Sequence, residues 1–314
     1  MNVYERTQRR LKTVFEAFDN VYVSFSGGKD SGVLLNLCID YIRRYGLKRR
    51  IGVFHMDYEI QYRDTLSYVD RMLASNPDIL DVYRVCVPFK VPTCASMFQR
   101  YWRPWEEGKR ELWVRAMPAG SYTRGSFPFF SEEMWDYEFQ NRFAEWLHRR
   151  CGATRTCCLI GIRTQESFNR WRTIYSDRNH HRFEGRRWIR QWADAGICNA
   201  YPIYDWLTTD VWTANGRFGW PYNRLYDLFH EKQHIRFNEL LSKVRSEHNR
   251  SCFIVKRIFG EEFVVIKRTL SKTRIVARLN DFYFQFQKPK IRSSMNMPDG
   301  IYTSAVMLMT LLIQ

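Results

Sequence analysis

The stretch that decides the fold is VYVSFSGGKDSGVLLN, residues 21–36. A run of β-branched and aromatic residues breaks into two glycines and restarts as an apolar pattern of helical period, which predicts strand, turn and helix. Gly27 and Gly28 carry no Cβ, so the backbone of the turn can approach a ligand closely. Lys29 adds a cation, and Asp30 begins a helix whose unpaired N–H groups favour an anion. The stretch therefore predicts a cradle for pyrophosphate.

The glycine spacing distinguishes this loop from the Walker-type phosphate loop. The GxxxxGK[ST] pattern needs four residues between its glycines, whereas Gly27 and Gly28 are adjacent. SGGKDS, residues 26–31, resembles instead the PP-loop of the ATP pyrophosphatase and adenine nucleotide α-hydrolase superfamily. A glycine-rich turn that only joins a strand to a helix is the alternative interpretation.

Composition indicates a globular protein with acidic partners. The chain has 314 residues, of which 45% are hydrophobic, so a main domain of about 200 residues with an elaboration is expected. The formal net charge is +16, which favours nucleotides, sulfate, nucleic acid or an acidic protein surface as partners. A charge that serves solubility alone is the alternative.

The ends of the chain and its cysteines predict a cytoplasmic protein without a membrane partner. The N-terminus is charged and lacks the apolar segment of a signal peptide, and the apolar tail at residues 305–313 is too short to span a bilayer. Eight scattered cysteines predict reduced thiols. Cys157 and Cys158 are expected in the core, because the sequence has no Cys-x-x-Cys motif that would favour a metal site.

The order of elements beyond the loop is that of an α/β protein. Apolar strands are predicted at residues 21–25, 51–56, 82–87 and 156–163. Their alternation with helices predicts βαβ units and a parallel sheet. A helix is expected over residues 4–18, another from a cap at Ser131 to residue 152, and an edge strand over residues 201–204. Asp57 follows the second strand, at the edge where open parallel sheets bind ligands.

Two segments are rich in arginine. Residues 97–130 form a predicted insertion with tryptophans among arginines. It is either a surface for nucleic acid or, as we favour, a segment whose tryptophans pack while its arginines stay solvated. Residues 170–190 carry seven arginines against one aspartate and one glutamate. They are expected either to meet an anionic second substrate or to form a solvated charged loop.

A second motif, GIRTQES, occupies residues 161–167 at the end of the fourth predicted strand. Gly161 allows close backbone approach, and Arg163 offers a fork of donors for phosphate or carboxylate. Glu166 can hold that arginine or a metal. A buried structural pair of Arg163 and Glu166 is the alternative.

Three motifs in order carry a family resemblance. SGGKDS, GIRTQES and the spacing of YPIYDW, DVW and PYNRLY over residues 201–226 are similar to the phosphoadenosine phosphosulfate reductase family and the small subunit of ATP sulfurylase. Within that superfamily the chain looks most like the IbrA-type coactivators, which are paired with a ParB-like partner. The resemblance implies an α/β fold of the adenine nucleotide α-hydrolase (HUP) type. Such a fold is a doubly wound parallel sheet with helices on both faces, followed here by a basic C-terminal extension.

The resemblance also implies the site, position by position. It assigns the pyrophosphate to residues 26–31, the ribose or a metal to Asp57, and the opposite wall to the GIRTQES turn. The implied catalytic residues are Lys29, Asp30 and Arg163, and Asp30 is the candidate ligand of Mg²⁺. The implied nucleotide-binding residues are Ser24, Ser26, Gly27, Gly28, Lys29, Asp30, Ser31, Asp57, Gly161, Arg163 and Glu166.

We predict two domains, a PP-loop domain over residues 1–230 and a basic accessory domain over residues 231–314. Residues 243–292 contain 13 Lys and Arg against 4 Asp and Glu, a net charge of +9. This charge favours a module that docks nucleic acid or a partner such as a ParB-like protein over a solvated extension.

The predicted activity is that of an ATP pyrophosphatase or adenylyltransferase. The chain is expected to bind ATP with Mg²⁺, cleave it at the α-phosphate, release pyrophosphate and adenylylate an acceptor. A sulfonucleotide reductase is one alternative, but the reductases use a cysteine in a Glu-Cys-Gly-type motif or paired cysteines with a distant Cys-x-x-Cys, and neither pattern is present. A nucleotide-sensing transcriptional coactivator with little turnover is the other.

Overall fold

The computed structural model describes residues 1–92, 101–176, 181–192, 196–227, 252–256 and 263–267. The chain divides into two compact units. The first unit comprises Met1–Met56, Arg63–Val85 and Tyr137–Arg224, and the second comprises Asp57–Tyr62, Cys86–Asp136 and Leu225–Gln314. Most of the predicted accessory domain, part of the predicted insertion and part of the arginine-rich segment lie outside the described residues.

The elements alternate in the predicted α/β order. The α-helices are α1 (Val3–Ala17), α2 (Lys29–Arg44), α3 (Arg63–Ala74), α4 (Asp136–Arg150), α5 (Phe168–Tyr175) and α6 (Thr208–Phe218). The strands are β1 (Asn20–Ser24), β2 (Ile51–Met56), β3 (Leu80–Val85), β4 (Val91–Pro92), β5 (Tyr101–Trp102), β6 (Thr156–Ile160), β7 (His181–Arg182), β8 (Ile189–Gln191), β9 (Ile197–Ala200), β10 (Cys252–Lys256) and β11 (Phe263–Lys267). Short 3-10 helices cover Glu107–Leu112, Arg124–Ser126, Thr164–Glu166 and Phe183–Gly185.

The first unit is organised around a seven-stranded sheet of order β3-β2-β1-β6-β9-β8-β7. Its first five strands are parallel, and β8 and β7 are added antiparallel. The chain runs outward from β1 to β3 and then returns to place β6 on the other side of β1, which confirms the predicted doubly wound sheet. Ser24 pairs with Ile160, so β1 and β6 end side by side. Open sheets of this kind form a crevice where the order reverses.

Successive side chains of β1 point to opposite faces of the sheet, and both faces are covered by helices. Val21 and Val23 belong to the main core, which also receives Leu34 of α2 and Leu11 of α1. Tyr22 points the other way and meets Phe143 of α4, with ring centroids 5.8 Å apart. The helices therefore cover both faces, as the family resemblance implied.

The predicted edge strand at residues 201–204 is wrong. The strand lies just before it, as β9, and is paired on both sides by β6 and β8. Pro202 has no N–H that could donate a hydrogen bond to a neighbouring strand. Its carbonyl accepts hydrogen bonds from Thr7 and Arg10 of α1. Arg10 also pairs with Asp205 at 2.6 Å, so the YPIYDW segment turns toward α1 instead of extending the sheet.

The helix expected to begin at Ser131 begins at Asp136 instead. In the second unit, the amide of Lys90 donates to the carbonyl of Met134, and the amide of Asp136 donates to the carbonyl of Lys90. These bonds hold the chain before α4 extended against Lys90, whose ammonium also pairs with Glu133. Glu133, which would lie in the first turn of a helix capped by Ser131, is instead the partner of a lysine distant in sequence.

The C-terminal region contributes one described antiparallel pair, in which Ile254 of β10 is opposite Val265 of β11. The sequence has short β-like runs at residues 263–266 and 282–286. The first lies within β11, and the second lies outside the described residues. None of the described helices combines the length and the hydropathy that crossing a membrane requires.

Candidate nucleotide site

The SGGKDS loop connects the end of β1 to the start of α2, as predicted, and serine hydroxyls hold its shape. The amide of Ser26 donates to Oγ of Ser31 at 3.2 Å, and the two hydroxyl oxygens lie 3.0 Å apart. Oγ of Ser26 accepts from the amide of Gly28 at 3.3 Å. Gly28 is the residue before α2, and with no side chain it leaves the first-turn N–H groups of the helix to meet an anion.

Asn223 supports this loop from a distant part of the chain. Its amide nitrogen donates to the carbonyl of Gly27 at 3.0 Å and to Oγ1 of Thr65 at 2.9 Å, and the residue is 2% exposed. Gly27 has a φ of +80°, and a Cβ there would lie 2.7 Å from Val69. Asn223 is part of the PYNRLY motif, but its role could not be predicted from sequence. Its proximity to the loop depends on the tertiary fold.

Lys29, Asp30 and Arg163 form a compact charged group at the base of the loop. The ammonium of Lys29 lies 2.8 Å from Oδ2 of Asp30. Nε of Arg163, which follows β6, lies 2.6 Å from Oδ1 of the same carboxylate. The structure thus brings together the three predicted catalytic residues, with Asp30 between the two cations.

Arg163 is almost wholly buried, with 1% of its surface exposed. Its guanidinium also donates to the carbonyl of Trp206 at 3.4 Å and to Oγ1 of Thr208 at 3.3 Å. Glu166 lies farther away, at 3.7 Å, and is paired with Arg170 of α5. The alternative of a buried structural pair therefore applies to Arg163, with Asp30 in place of Glu166 as the nearer partner.

The pKa values of Asp30 and of the neighbouring Glu166 are shifted in opposite directions. Burial by itself raises the pKa of the Asp30 carboxyl, but the charges and hydrogen bonds of Lys29 and Arg163 outweigh burial, so the pKa lies below its ordinary value. Burial and the charge of Asp30 hold the pKa of Glu166 above its ordinary value, against the opposing charges of the arginines. Asp30 is therefore the stronger acid of the two.

Gly161 directly follows β6 and touches the start of α2. A Cβ at this position would lie 2.9 Å from the amide nitrogen of Ser31 and 3.0 Å from the carbonyl carbon of Asp30. The close approach predicted for this glycine is thus made to the backbone of the loop's own helix. The absence of a side chain at Gly161 therefore allows the GIRTQES turn to lie in direct contact with the SGGKDS segment.

Gly161→Ala should lower the free energy of unfolding by about 1–3 kcal/mol, because the added methyl meets backbone that cannot move without shifting α2. Urea denaturation measures the change. Gly216→Ala is the matched control, since a Cβ at that position in α6 has no neighbour within 4 Å. The control should be as stable as wild type or more stable, by up to about 1 kcal/mol. Equal stability of the two variants would contradict the account of Gly161.

Asp57 is buried in the second unit, where it anchors the insertion. The indole nitrogen of Trp105 donates to its carbonyl at 2.7 Å, and the guanidinium of Arg115 pairs with its carboxylate. The neighbouring Glu59, at a φ of +70°, accepts from the amide of Trp105 at 2.7 Å. Trp102 and Trp105 are 4% and 0% exposed. The tryptophan part of the interpretation that we favoured is thus confirmed for these two residues, whereas Arg115, expected to stay solvated, is 20% exposed and paired with Asp57.

The described residues do not form a protein-held magnesium site. Within residues 1–92, 101–176, 181–192 and 196–227, no three His, Cys, Asp or Glu side chains are arranged to hold a metal ion. Asp30, the predicted ligand, has one carboxylate oxygen on Lys29 and the other on Arg163. The present geometry therefore does not fit a metal held by this side chain.

Five of the six cysteines whose side chains the structure describes are buried, and the sixth, Cys151, is exposed. Cys157 and Cys158 are 0% and 5% exposed, as predicted, and the structure has them as free thiols. Burial raises the pKa of Cys158 to about 12 and that of Cys198 to about 11. Thiols of this kind are poor nucleophiles, because the thiolate is the reactive form. The side chains of Cys94 and Cys252 lie outside the described residues.

The mostly parallel sheet with helices has the α/β fold of the adenine nucleotide α-hydrolase type. Its glycine-rich loop lies where the strand order reverses. Residues 20–106 match the family described as "Phosphoadenosine phosphosulfate reductase domain", and residues 222–292 match that described as "MobC-like protein". The match over residues 20–106 confirms the resemblance of this part of the chain to the phosphoadenosine phosphosulfate reductase domain. The likeness to IbrA-type coactivators stays a prediction.

Individual similar proteins include "Uncharacterized protein YbdN" of Escherichia coli (strain K12), which is 31% identical over 245 residues. That match covers 76% of this chain, and the chain spans 59% of the relative's length. Among solved structures, a phosphoadenylyl-sulfate reductase from Candida auris is 16% identical, with 71% and 84% of the two chains covered and a TM-score of 0.38. An FMN adenylyltransferase from Candida glabrata with FAD and pyrophosphate is 15% identical, with 71% and 59% covered and a TM-score of 0.41.

Proposed function

We propose that the chain is a PP-loop enzyme that binds ATP and cleaves it between the α- and β-phosphates, in the manner of an adenylyltransferase. An oxygen nucleophile of the acceptor attacks the α-phosphorus and forms the new bond. The bond from that phosphorus to the bridging oxygen of the β-phosphate breaks, and pyrophosphate leaves with the electron pair. Charge develops on the leaving group, so a cation and N–H donors placed there favour the transition state.

The observation that carries this proposal is the position of Lys29 at the start of α2, beside a loop of adjacent glycines where the strand order reverses. In the proposal, Ser26, Gly27, Gly28 and Ser31 shape the pyrophosphate cradle and Lys29 offsets the charge of the leaving group. Asp30 and Arg163 act as positioning residues, because the arginine holds the carboxylate that holds the lysine. The roles of Ser24, Asp57, Gly161 and Glu166 stay predictions.

Magnesium is proposed only as the ion that ATP brings on its phosphates, since Mg²⁺ in nucleotide sites is commonly held by few carboxylates and by the substrate. Every step assigned to this chain is therefore binding, orientation or charge compensation by its own residues. A cytoplasmic location is part of the same proposal.

Competition with inorganic pyrophosphate tests the cradle. We expect isothermal titration calorimetry to show that pyrophosphate binds and that ATP binds more weakly once the protein is saturated with it. Adenosine should bind with unchanged affinity under the same conditions, because it does not need the cradle. ATP affinity that is insensitive to saturating pyrophosphate would contradict a pyrophosphate site at SGGKDS.

Cysteine substitution separates this proposal from sulfonucleotide reduction. We expect each single Cys→Ser variant to release pyrophosphate from ATP at close to the wild-type rate, because the described thiols are buried or have raised pKa values. A thioredoxin-coupled assay with phosphoadenosine phosphosulfate provides the second measurement. Reduction of that substrate by wild type, lost in Cys252→Ser alone, would establish the reductase in place of the adenylyltransferase.

The basic C-terminal segment is proposed as a separate docking module. The match of residues 222–292 to a second family supports a unit distinct from the PP-loop domain, near the boundary expected at residue 230. Its charge suits nucleic acid or an acidic partner protein, for which a ParB-like protein is the candidate. A nucleotide-sensing coactivator with little turnover would use the same two modules without acceptor chemistry.

A further inference from the structure

The short helix α5 exposes three large aromatic side chains. Phe168, Trp171 and Tyr175 are 71%, 44% and 36% exposed. Large apolar side chains that share one exposed patch indicate an interaction site more often than scattered single ones do. Ile174 is buried on the side of the helix next to these rings, so α5 packs against the protein through that side.

The three rings form an ordered column. The centroids of Phe168 and Trp171 are 5.9 Å apart with planes 10° apart, and those of Trp171 and Tyr175 are 5.1 Å apart with planes 20° apart. Seven residues of helix separate its ends, a length of about 10 Å. That length corresponds to about three nucleotides at the spacing of stacked bases in one strand.

An arginine lies near each end of the column. Arg172 lies over the ring of Phe168 at 5.9 Å, and Arg187, from the segment before β8, lies over Tyr175 at 5.3 Å. Nη2 of Arg190 in β8 donates to the carbonyl of Arg172 at 3.4 Å, which links the helix to the antiparallel strands. The exposed edge thus combines flat aromatic surface with positive charge.

We propose that the α5 column and its flanking arginines bind single-stranded nucleic acid. Parallel aromatic rings stack on bases of any sequence, while arginines meet the phosphates or the ring faces. A duplex keeps its base faces stacked inside and cannot use such a column. A wholly apolar protein groove would have to bury the guanidiniums of Arg172 and Arg187 without partners, which is costly. This site is separate from SGGKDS and does not require ATP.

Binding of a 12-nucleotide oligothymidylate, compared with an abasic oligomer of the same length and charge, tests the proposal by fluorescence anisotropy on the full chain. Wild type should prefer the oligothymidylate by about tenfold or more, since one base stacked on an aromatic side chain contributes that much. The triple variant Phe168→Ala, Trp171→Ala, Tyr175→Ala should lose this preference and bind the abasic oligomer as wild type does. Trp171→Tyr should retain most of it.

Two further variants separate stacking from charge. Tyr45→Ala with Tyr137→Ala removes two rings that are each 56% exposed elsewhere and should leave the preference unchanged. Arg172→Gln with Arg187→Gln should reduce the slope of log affinity against log salt by about 1.4 if each arginine meets one phosphate of a single strand. The triple aromatic variant should keep the wild-type slope, because stacking releases no counterions.

The proposal is overturned if wild type binds the two oligomers equally, or if the triple variant, folded by circular dichroism, keeps the preference. Co-sedimentation with vesicles of phosphatidylcholine and phosphatidylserine provides the competing arm. Loss of vesicle binding in the triple variant with oligothymidylate binding unchanged would assign α5 to a lipid surface and reject the nucleic-acid site.

Discussion

Lys29→Ala should reduce the rate of pyrophosphate release from ATP by about 10²–10³-fold, the usual cost of removing one group that stabilises developing charge. The fold should persist, because Asp30 keeps its bond of 2.6 Å to Arg163 when the lysine is removed. Release is measured with an enzyme-coupled pyrophosphate assay, and the midpoint of thermal unfolding is measured on the same preparation.

Lys48→Ala is the matched control, since this lysine is exposed and lies after α2 in the same unit. It should release pyrophosphate at the wild-type rate. A Lys29→Ala variant that turns over as fast as the control would remove the leaving-group role of Lys29. A variant that loses both activity and thermal stability would instead mean that the lysine is part of the folded core.

Arg163→Met should produce the largest loss of stability, about 3–5 kcal/mol in the free energy of unfolding, because it leaves the buried Asp30 with only Lys29 as a charged partner. Methionine keeps much of the volume of the arginine, so the loss reports charge and hydrogen bonding more than a cavity. Chemical denaturation in urea measures it.

The controls for this prediction use the neighbouring charges. Arg170→Met removes a half-exposed arginine from the outer side of Glu166 and should cost at most about 1 kcal/mol. The double variant Asp30→Asn, Arg163→Met should recover part of the loss, since no charge is then left unpaired in that pair. A loss below about 1 kcal/mol for Arg163→Met would show that the pair does not hold the loop.

The same pair revises an expectation drawn from sequence. The position of Asp30 on a turn at the edge of the predicted sheet indicates, from sequence alone, a residue that can be replaced without loss of the fold. The structure buries it to 8% exposure and pairs its carboxylate with two cations, Lys29 and Arg163. Asp30→Ala is therefore expected to destabilise the protein as well as slow turnover, so it cannot serve as a purely catalytic variant.

Local signals in the sequence were sufficient for the parts of the fold that depend on neighbouring residues. Adjacent glycines after a β-branched run predicted the loop, and apolar residues at helical spacing predicted α1 and α2. The sequence also predicted close backbone approach at Gly161. It did not show that the neighbouring backbone is the start of α2.

Contacts between distant residues account for the errors. The helix expected from Ser131 starts later because Lys90, more than 40 residues earlier, holds the preceding segment extended. The strand expected at residues 201–204 is displaced because α1 captures the carbonyl of Pro202. Asn223 gained a role only when the fold placed it against Gly27, and Arg163 exchanged its expected partner Glu166 for Asp30. A pattern of residue types along the chain does not encode such pairings.

The central claim is that ATP is cut between its α- and β-phosphates. Incubating the full chain with ATP labelled in parallel at the α- or the γ-phosphorus, followed by product separation, measures the position of the cut directly. The account predicts γ-label in pyrophosphate, α-label in an adenylyl product, and loss of both in Lys29→Ala. Gamma-label in orthophosphate with α-label in ADP, or intact ATP at every time point across a panel of acceptors, would contradict it.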